Sequence, residues 1–366
     1  MAALDQFPVE PRQRGLVCDQ EGSCIGEQRS SVGPKHVGFA LRPLESVLHV
    51  DQQQPVGAFQ GVLSGATATQ LGSAAIEAAV AQSGVSAGDV DRVIMGCVLP
   101  AGLGQAPARQ AALGAGVPDG VPATTVNKMC GSGMESITLG HDMIKAGSAG
   151  IVVAGGLESM SNAPYMLPKA RSGYRMGHQE VLDHMFYDGL QDPFEGQMMG
   201  HYAQVTADKY EYTRESMDAF ATESATRAQR AVADGTFADE ITPVTISSRR
   251  GEVVVAEDET PGKVSVDKIP KLRPAFRKDG TVTAATSSSI SDGAASLVLM
   301  SAAELDARKA SPIARIIAHS GFAHEPAWFT TAPVYALRKL LDSQGWSADD
   351  VDLFEINEAF AVVTMA

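Results

Sequence analysis

The fold of this 366-residue chain is decided by the stretch Val126–Glu135, which reads VNKMCGSGME. A β-branched run precedes it, and a helix-compatible pattern continues beyond it to about Ile144. Cys130 is therefore predicted to lie between a strand and a helix. There, free backbone N–H groups and the positive end of the helix dipole favour a thiolate. The glycines that follow would let a backbone or a substrate approach the sulfur. This pattern is typical of a nucleophile, although these residues alone leave a buried structural thiol open.

Strands and helices alternate along the chain. Apolar residues recur at helical spacing over 68–82, and Ser83 and Gly84 are predicted to end that helix. The runs at 93–99 and 151–154 are typical of buried strands. Such alternation predicts an α/β architecture.

An internal repeat supports this architecture. The octapeptide GVSAGDVD at 84–91 recurs as GWSADDVD at 345–352, with six of eight positions identical. Each copy follows a helical stretch and precedes an apolar strand, which favours duplication over a chance match. The second copy is followed by few residues before Ala366, so the second half is expected to be incomplete.

Charge and composition limit the classes of partner and compartment. The net charge of −14 argues against nucleic acid or acidic membranes. No apolar run approaches the roughly 18 residues of a membrane span. The four cysteines have no zinc-ligand spacing and are too few for a disulfide scaffold, which predicts a reducing, cytoplasmic setting.

The first 54 residues have no sustained periodicity and are predicted to form an irregular extension. Only Val47 to Val50 has strand character there, so a first strand is expected to be degraded or missing. Five Lys/Arg and seven Asp/Glu in this segment exclude a secretory signal and an acid-poor transit peptide.

Three motifs resemble those of the thiolases, the acetyl-CoA acetyltransferase family. They are NKMCGSG at 127–133, GGLESMS at 155–161 and NEAFA at 357–361, in the expected order. The resemblance runs from about Pro55 to the last residue. It implies a layered α/β fold built from two duplicated halves with an inserted loop domain. The implied division is 1–54 as the extension, 55–161 with 281–310 as the N-terminal half, 162–280 as the loop domain and 311–366 as the truncated C-terminal half.

The resemblance implies ping-pong acyl transfer between coenzyme A thioesters. Cys130 matches the acylated nucleophile, and Asn357 matches the residue that holds a water in the oxyanion hole; a helix N-cap is the alternative for Asn357. Coenzyme A is a substrate here, and no cofactor or metal is implied. The expected partners are acetyl-CoA and acetoacetyl-CoA, with assembly as a dimer of dimers through a loop at 105–109 and the loop domain.

Further positions resemble coenzyme A contacts. Ser288 matches a serine that meets the pantetheine arm, and Thr286 stands where Asn is more usual. The other implied contacts are Met199, His201, Lys263, Phe276, Ala359 and Phe360. Core packing is the alternative for Met199 and Phe276, and a surface position is the alternative for His201 and Lys263.

Two groups of the family have no counterpart in this sequence: the His of a Gly-His-Pro motif and a second, proton-shuttling Cys. His141 lies eleven residues beyond Cys130, roughly 16 Å along a helix, too far to act as its base. A chain that is complete at Ala366 is therefore expected to acylate slowly and not to condense. The alternatives are a broad-range degradative 3-ketoacyl-CoA thiolase, a non-catalytic thiolase-like subunit, and a truncated or frame-shifted reading of a thiolase gene.

Overall fold

The computed structural model describes residues 12–18, 23–30, 45–248 and 251–366. Its strands are β1 (Arg12–Cys18), β2 (Ser23–Ser30), β3 (Ser46–Gln53), β4 (Gly57–Ala58), β5 (Arg92–Gly96), β6 (Ala123–Val126), β7 (Ile151–Ser159), β8 (Tyr165–Met166), β9 (Leu182–Asp183), β10 (Val244–Ser248), β11 (Gly251–Val255), β12 (Ser291–Ser301), β13 (Ala314–Gly321) and β14 (Leu353–Ile356). Its α-helices are α1 (Ala68–Ser83), α2 (Pro107–Gly114), α3 (Ser132–Lys145), α4 (Met199–Lys209), α5 (Arg214–Asp234), α6 (Glu259–Lys263), α7 (Ala302–Arg308), α8 (Ala332–Gln344) and α9 (Ala361–Met365).

Ten strands form one sheet with two parts. The order is β14-β1-β2-β13-β3-β12-β7-β5-β6, with β4 paired to β12. In the first part, β5 lies parallel to β6 and β7, and β12 runs antiparallel to β7 and β3. Among the described strands, the second part is hydrogen-bonded to the first through the short pairing of β13 with β3, at Ala314–Leu48 and Arg315–Val47.

The core is layered. Helices α1 and α2 cover one face of the first part, where Ile76 packs with Val93 and Val298. Helix α3 covers the other face, and its Ile144 shares a cluster with Ile25 of β2 and with residues of β13. Helix α8 lies on the far side of β1 and β2. The sequence prediction of a layered α/β fold is confirmed, with α3 enclosed between the two parts of the sheet.

The predicted repeat is visible as matching structure. Helix α1 ends at Gly84 and helix α8 ends at Gly345, with φ of 68° and 65°, the left-handed conformation that glycine adopts without strain. Each glycine leads through a short 3₁₀ turn into a strand, β5 or β14. The duplication inferred from the octapeptides is therefore confirmed.

The prediction of an irregular extension is wrong for the described residues before position 55. Strands β1 and β2 form a hairpin that lies between β14 and β13. Cys18 and Cys24 stand opposite each other in this hairpin and form a disulfide, which the expectation of a reducing setting did not include. Pairing with strands that are distant in the chain stabilises β1 and β2, although their local sequence has no clear alternation of apolar and polar residues. The remaining residues before position 45 lie outside the described ranges.

The hairpin repeats in the second part what β7 and β12 do in the first. Strand β1 is parallel to β14 as β7 is to β5, and β2 is antiparallel to both neighbours, as β12 is. The matching aspartates make the same contacts. The Asp91 carboxylate accepts from Ile151 N at 3.0 Å, and Asp91 N donates to Ile151 O at 2.9 Å. In the same way, the Asp352 carboxylate accepts from Arg14 N at 2.7 Å, and Asp352 N donates to Arg14 O at 2.9 Å.

The hairpin fills part of the second half, which was expected to be incomplete: it occupies the position between β13 and β14. Strand β14 remains at the end of the sheet, and Leu353 and Phe354 on it are 57% and 40% exposed. Strand β14 therefore presents apolar side chains at this edge of the sheet.

The first strand is also complete, contrary to the prediction. Strand β3 spans Ser46–Gln53 and pairs with β12 along its length. Two buried glutamines, one at the end of β3 and one just beyond it, donate hydrogen bonds to main-chain carbonyls. Gln52 donates to Asp239 O at 3.0 Å, and the amide of Gln54 donates to Leu71 O. Such acceptors make burial of the two amide groups tolerable, which a hydropathy pattern does not reveal.

Residues 162–280 contain α4, α5, α6 and two small hairpins, β8–β9 and β10–β11. Helix α5 spans Arg214–Asp234 and is capped by Thr213, whose hydroxyl accepts from Ser216 N at 3.1 Å. Within the described ranges, every helix is too short or too polar to cross a membrane.

Candidate active site

Cys130 lies between β6 and α3, as predicted, and the residue is exposed. The residue before it, Met129, has a φ of 48°. A residue other than glycine is uncommon in this left-handed region, and such local strain concentrates at functional sites. The chain thus turns sharply at Met129 and presents Cys130 at the start of the helix.

Hydrogen bonds fix this turn. Asn127 accepts from Met129 N at 2.9 Å and donates to Val98 O at 3.3 Å. Val98 N in turn donates to Glu158 at 2.7 Å, and Leu99 N donates to the same carboxylate at 3.0 Å. Burial raises the pKa of Glu158, while the two N–H donors oppose that shift. Residues from the first two motifs therefore meet in one network under Cys130.

Two of the backbone N–H groups beside Cys130 have partners within the turn. Gly131 N donates to Lys128 O at 3.1 Å and Ser132 N donates to Met129 O at 3.0 Å, so these groups stabilise the turn itself. The positive end of the α3 dipole remains as an electrostatic influence that favours the thiolate form of Cys130.

Glycines bring α3 against the sheet. Gly133 lies against the backbone of Gly155 and Gly156, and a Cβ on Gly96 would lie 2.5 Å from Ser132 C. Only glycine at position 96 allows this approach. The expectation that Gly133 lets a backbone or a substrate approach the sulfur stays a prediction.

The second thiol of this region differs from Cys130. Cys97 is 2% exposed, and burial, together with the Glu158 carboxylate, raises its pKa to about 12. Such a thiol stays protonated at neutral pH and is not nucleophilic. Position in the fold therefore distinguishes the two cysteines that lie outside the disulfide.

Asn357 follows β14 and is exposed. Its backbone N–H donates to Cys18 O at 3.0 Å. The residue at the N-cap of α9 is Phe360, so the N-cap alternative for Asn357 is wrong.

The serine motif pairs with the segment after Asn357. Ser288 N donates to Ala359 O at 2.8 Å, and Ala361 N donates to Thr286 O at 3.0 Å. Thr286 is buried, and its hydroxyl accepts from Thr283 N at 2.8 Å, so the departure from Asn leaves this loop hydrogen-bonded. Exposed Ser288 and the loop after β14 therefore share one wall.

Aromatic and apolar residues continue this wall. The rings of Phe276 and Phe360 are 6.1 Å apart at 78°, and a Cβ on Gly200 would lie 2.2 Å from the Phe276 ring. Met199 packs on the cluster that holds Phe360 and Ala359. The structure thus brings five of the predicted contacts together, namely Met199, Phe276, Ser288, Ala359 and Phe360.

Two predicted contacts lie differently. His201 is partly buried in the first turn of α4, with its ring 5.4 Å from that of Tyr202. Lys263 is 60% exposed at its side chain and forms an i,i+4 ion pair with Glu259 on α6. The surface alternative describes Lys263 better than a contact with the wall does.

The hairpin links the nucleophile turn to Asn357. Lys128 Nζ donates to the hydroxyl of Ser23 at the start of β2 and forms an ion pair with Glu135 at 2.8 Å. Ser23 directly precedes Cys24, whose disulfide partner Cys18 binds Asn357 N. Sequence reasoning missed Ser23 and Cys18, and the signal that was available is the repeat, because a duplicated half needs partners for β14.

The sequence matches two known protein domains. The thiolase N-terminal domain matches residues 50–303, and the thiolase C-terminal domain matches residues 310–366. Together these domains cover most of the chain. The chain belongs to the thiolase family.

Individual relatives agree in sequence and fold. An acetyl-CoA acetyltransferase of Pseudomonas aeruginosa is 49% identical over 313 residues, 85% of this chain and 80% of that protein. The crystal structure of the Bacillus anthracis acetyl-CoA acetyltransferase has a TM-score of 0.86 at 40% identity, covering 88% of this chain and 82% of that one. The crystal structure of an Ascaris suum thiolase in complex with coenzyme A has a TM-score of 0.83 at 37% sequence identity, and it also covers 88% of this chain and 82% of that one.

Proposed function

We propose that this chain transfers acetyl groups between coenzyme A thioesters through Cys130, joining two acetyl-CoA to give acetoacetyl-CoA and coenzyme A. The observation that carries the proposal is the exposed Cys130 at the start of α3, behind the left-handed Met129. Similarity to acetyl-CoA acetyltransferases supports the choice of substrate.

The covalent step follows from these residues. The Cys130 thiolate attacks the thioester carbonyl, the bond to the coenzyme A sulfur breaks, and coenzyme A leaves with the electron pair while acetyl stays on Cys130. Ser288 and the aromatic wall of Phe276 and Phe360 hold the pantetheine arm. Attack by a coenzyme A thiolate then breaks the Cys130 thioester, returns the acetyl group to coenzyme A and releases the Cys130 thiolate. In condensation the attacking group is instead the methyl carbon of a second acetyl-CoA, after a general base has taken one of its protons.

The wild-type test is isotope exchange between acetyl-CoA and labelled coenzyme A, the partial reaction of a ping-pong acyl enzyme. We expect exchange with acetyl-CoA to exceed exchange with hexanoyl-CoA. Equal or faster exchange with hexanoyl-CoA would favour the broad-range degradative alternative. Absence of exchange in the folded protein would contradict the proposal.

Asn357 provides a residue-level prediction. Asn357→Ala should slow acetylation of Cys130 by about 10²-fold, because a preorganised oxyanion donor contributes 10²–10³ in rate. Its described hydrogen bond is made by the main chain, so the melting temperature should change little. Single-turnover acetylation measures the effect, with Gln344→Ala at the end of α8 as the matched amide control. An unchanged rate would remove Asn357 from the reaction.

We also propose assembly as a dimer of dimers in the cytoplasm. Exposed apolar residues of the 162–280 segment support the assembly: Tyr165 is 69% exposed, Met176 92% and Val181 56%. Light scattering tests the oligomeric state, and cell fractionation tests the compartment.

A further inference from the structure

The β1–β2 hairpin contacts both parts of the candidate site. Cys18 O accepts from Asn357 N at 3.0 Å, and the hydroxyl of Ser23 accepts from Lys128 Nζ. Lys128 is two residues from Cys130, and these two contacts are made by the ends of β1 and β2 that the disulfide joins.

The hairpin itself is held at several points. Arg14 N donates to Asp352, and the Arg14 guanidinium lies 4.8 Å above the Trp346 ring. Leu16 is 1% exposed, and the disulfide sulfur of Cys24 lies 4.0 Å from Pro333 O at the start of α8. These contacts make the hairpin an integral layer of the second part.

We propose that the β1–β2 hairpin is a positioning element of the active site, and that the Cys18–Cys24 disulfide fixes the distance between Asn357 and the Cys130 turn. This inference rests on the proposed acyl transfer. The disulfide lies on the α8 side, in the cluster of Ala336 and Leu340, so it acts through the backbone rather than on the acyl group.

The disulfide also makes the site sensitive to reduction. A phosphine reduces the bond with one water, giving two thiols and a phosphine oxide. A small-molecule disulfide reverses the change by accepting two electrons and two protons from the thiols. Reduction removes the covalent link between the strand ends, so that only the main-chain pairing of β1 with β2 still holds Cys18 O relative to Ser23.

The test compares acetylation rates of full-length oxidised protein, phosphine-treated protein and the Cys18→Ser/Cys24→Ser variant. A phosphine is chosen because a thiol reductant would cleave an acetyl thioester. We expect the two open forms to acetylate Cys130 about tenfold more slowly, since a displacement near 1 Å can cost up to 10²-fold. The acetyl-CoA concentration for half-maximal rate should stay unchanged, because the wall around Ser288 does not contact the disulfide.

The controls separate the possible failures. Phosphine should not slow the double variant further, which excludes an effect on Cys130. Asp352→Asn loosens the other end of the hairpin and should give a smaller loss of rate than the double variant. Equal acetylation in oxidised and open forms would overturn this inference alone, whereas absence of acetylation in every form would overturn the proposed function.

A separate observation concerns the interface of α3 and β13. His319 Nε2 donates to the Asp142 carboxylate at 2.9 Å, and the ring of His141 lies edge-on 5.6 Å from that of His319. His141 is 5% exposed, and its Nδ1 has no hydrogen-bond partner among the described residues. One ligand atom from each of the three residues lies within 4.8 Å of the others.

We infer that His141, Asp142 and His319 bind a divalent zinc ion between the two parts of the molecule. Two imidazoles, a carboxylate and a water complete a four-coordinate zinc site, in which ligand atoms lie about 3.3 Å apart. The metal would supply the partner that His141 lacks. Its place between α3 and β13 would join the nucleophile helix to the second part.

Calorimetric titration of untagged Cys130→Ser protein with Zn²⁺ tests this site without interference from the exposed thiol. We expect one ion per chain, loss of at least tenfold in affinity in His141→Ala and in His319→Ala, and no loss in the control His178→Ala, which changes an exposed histidine of the 162–280 segment. Co²⁺ should show the visible absorption of a four-coordinate site. Binding that is absent, or equal in all variants, would overturn the assignment.

Discussion

Replacement of Cys130 by alanine should abolish exchange between acetyl-CoA and labelled coenzyme A while the chain remains folded. The residue is exposed, so the substitution leaves no buried cavity. Removal of a covalent nucleophile commonly costs more than about 10³-fold in rate. Neither of the buried disulfide sulfurs nor Cys97, whose pKa is raised to about 12, offers a substitute thiolate.

The control for this variant is Ser148→Ala, which changes an exposed residue after the far end of α3. Both variants should keep the wild-type melting temperature, and only the control should exchange. Exchange above a hundredth of the wild-type rate in Cys130→Ala would show that another group carries the acetyl.

Gly155→Ala should destabilise the fold strongly. A Cβ at this position would lie 2.1 Å from Ala295 O and 2.9 Å from Ser296 Cα, backbone atoms of the neighbouring strand. These atoms cannot move without breaking the β7–β12 ladder, and overpacking of this kind costs about 1–3 kcal/mol or more. We expect the free energy of unfolding from urea titration to fall by at least that amount.

The adjacent glycine is a matched control. A Cβ at Gly156 would meet Gly133 Cα at 3.5 Å, an ordinary van der Waals distance. Gly156→Ala should therefore change the free energy of unfolding by less than about 1 kcal/mol. Equal losses in the two variants would contradict the account of how β7 packs.

Local sequence patterns were sufficient to predict much of the secondary structure in the first part of the molecule. The periodic residues of α1, the end of that helix at Gly84 and the strand–Cys130–helix order follow from short-range rules, and the structure has them where the sequence predicts them. The octapeptide repeat likewise predicted that α8 and β14 would copy α1 and β5.

Long-range pairing explains what the sequence did not reveal. Strands β1 and β2 have little periodicity and are stabilised by β14 and β13, far away in the chain. Strand β3 contains glutamines whose burial depends on partners such as Asp239 O. The Glu158 network was equally hidden, because its donors come from a loop about sixty residues earlier.

The most direct test of the central claim is intact mass spectrometry of the oxidised wild-type chain after incubation with acetyl-CoA, followed by peptide mapping. The account predicts one added acetyl group per chain, located on Cys130, removed by coenzyme A and absent in Cys130→Ala. A folded protein that gains no acetyl group, or gains it on another residue, would contradict it.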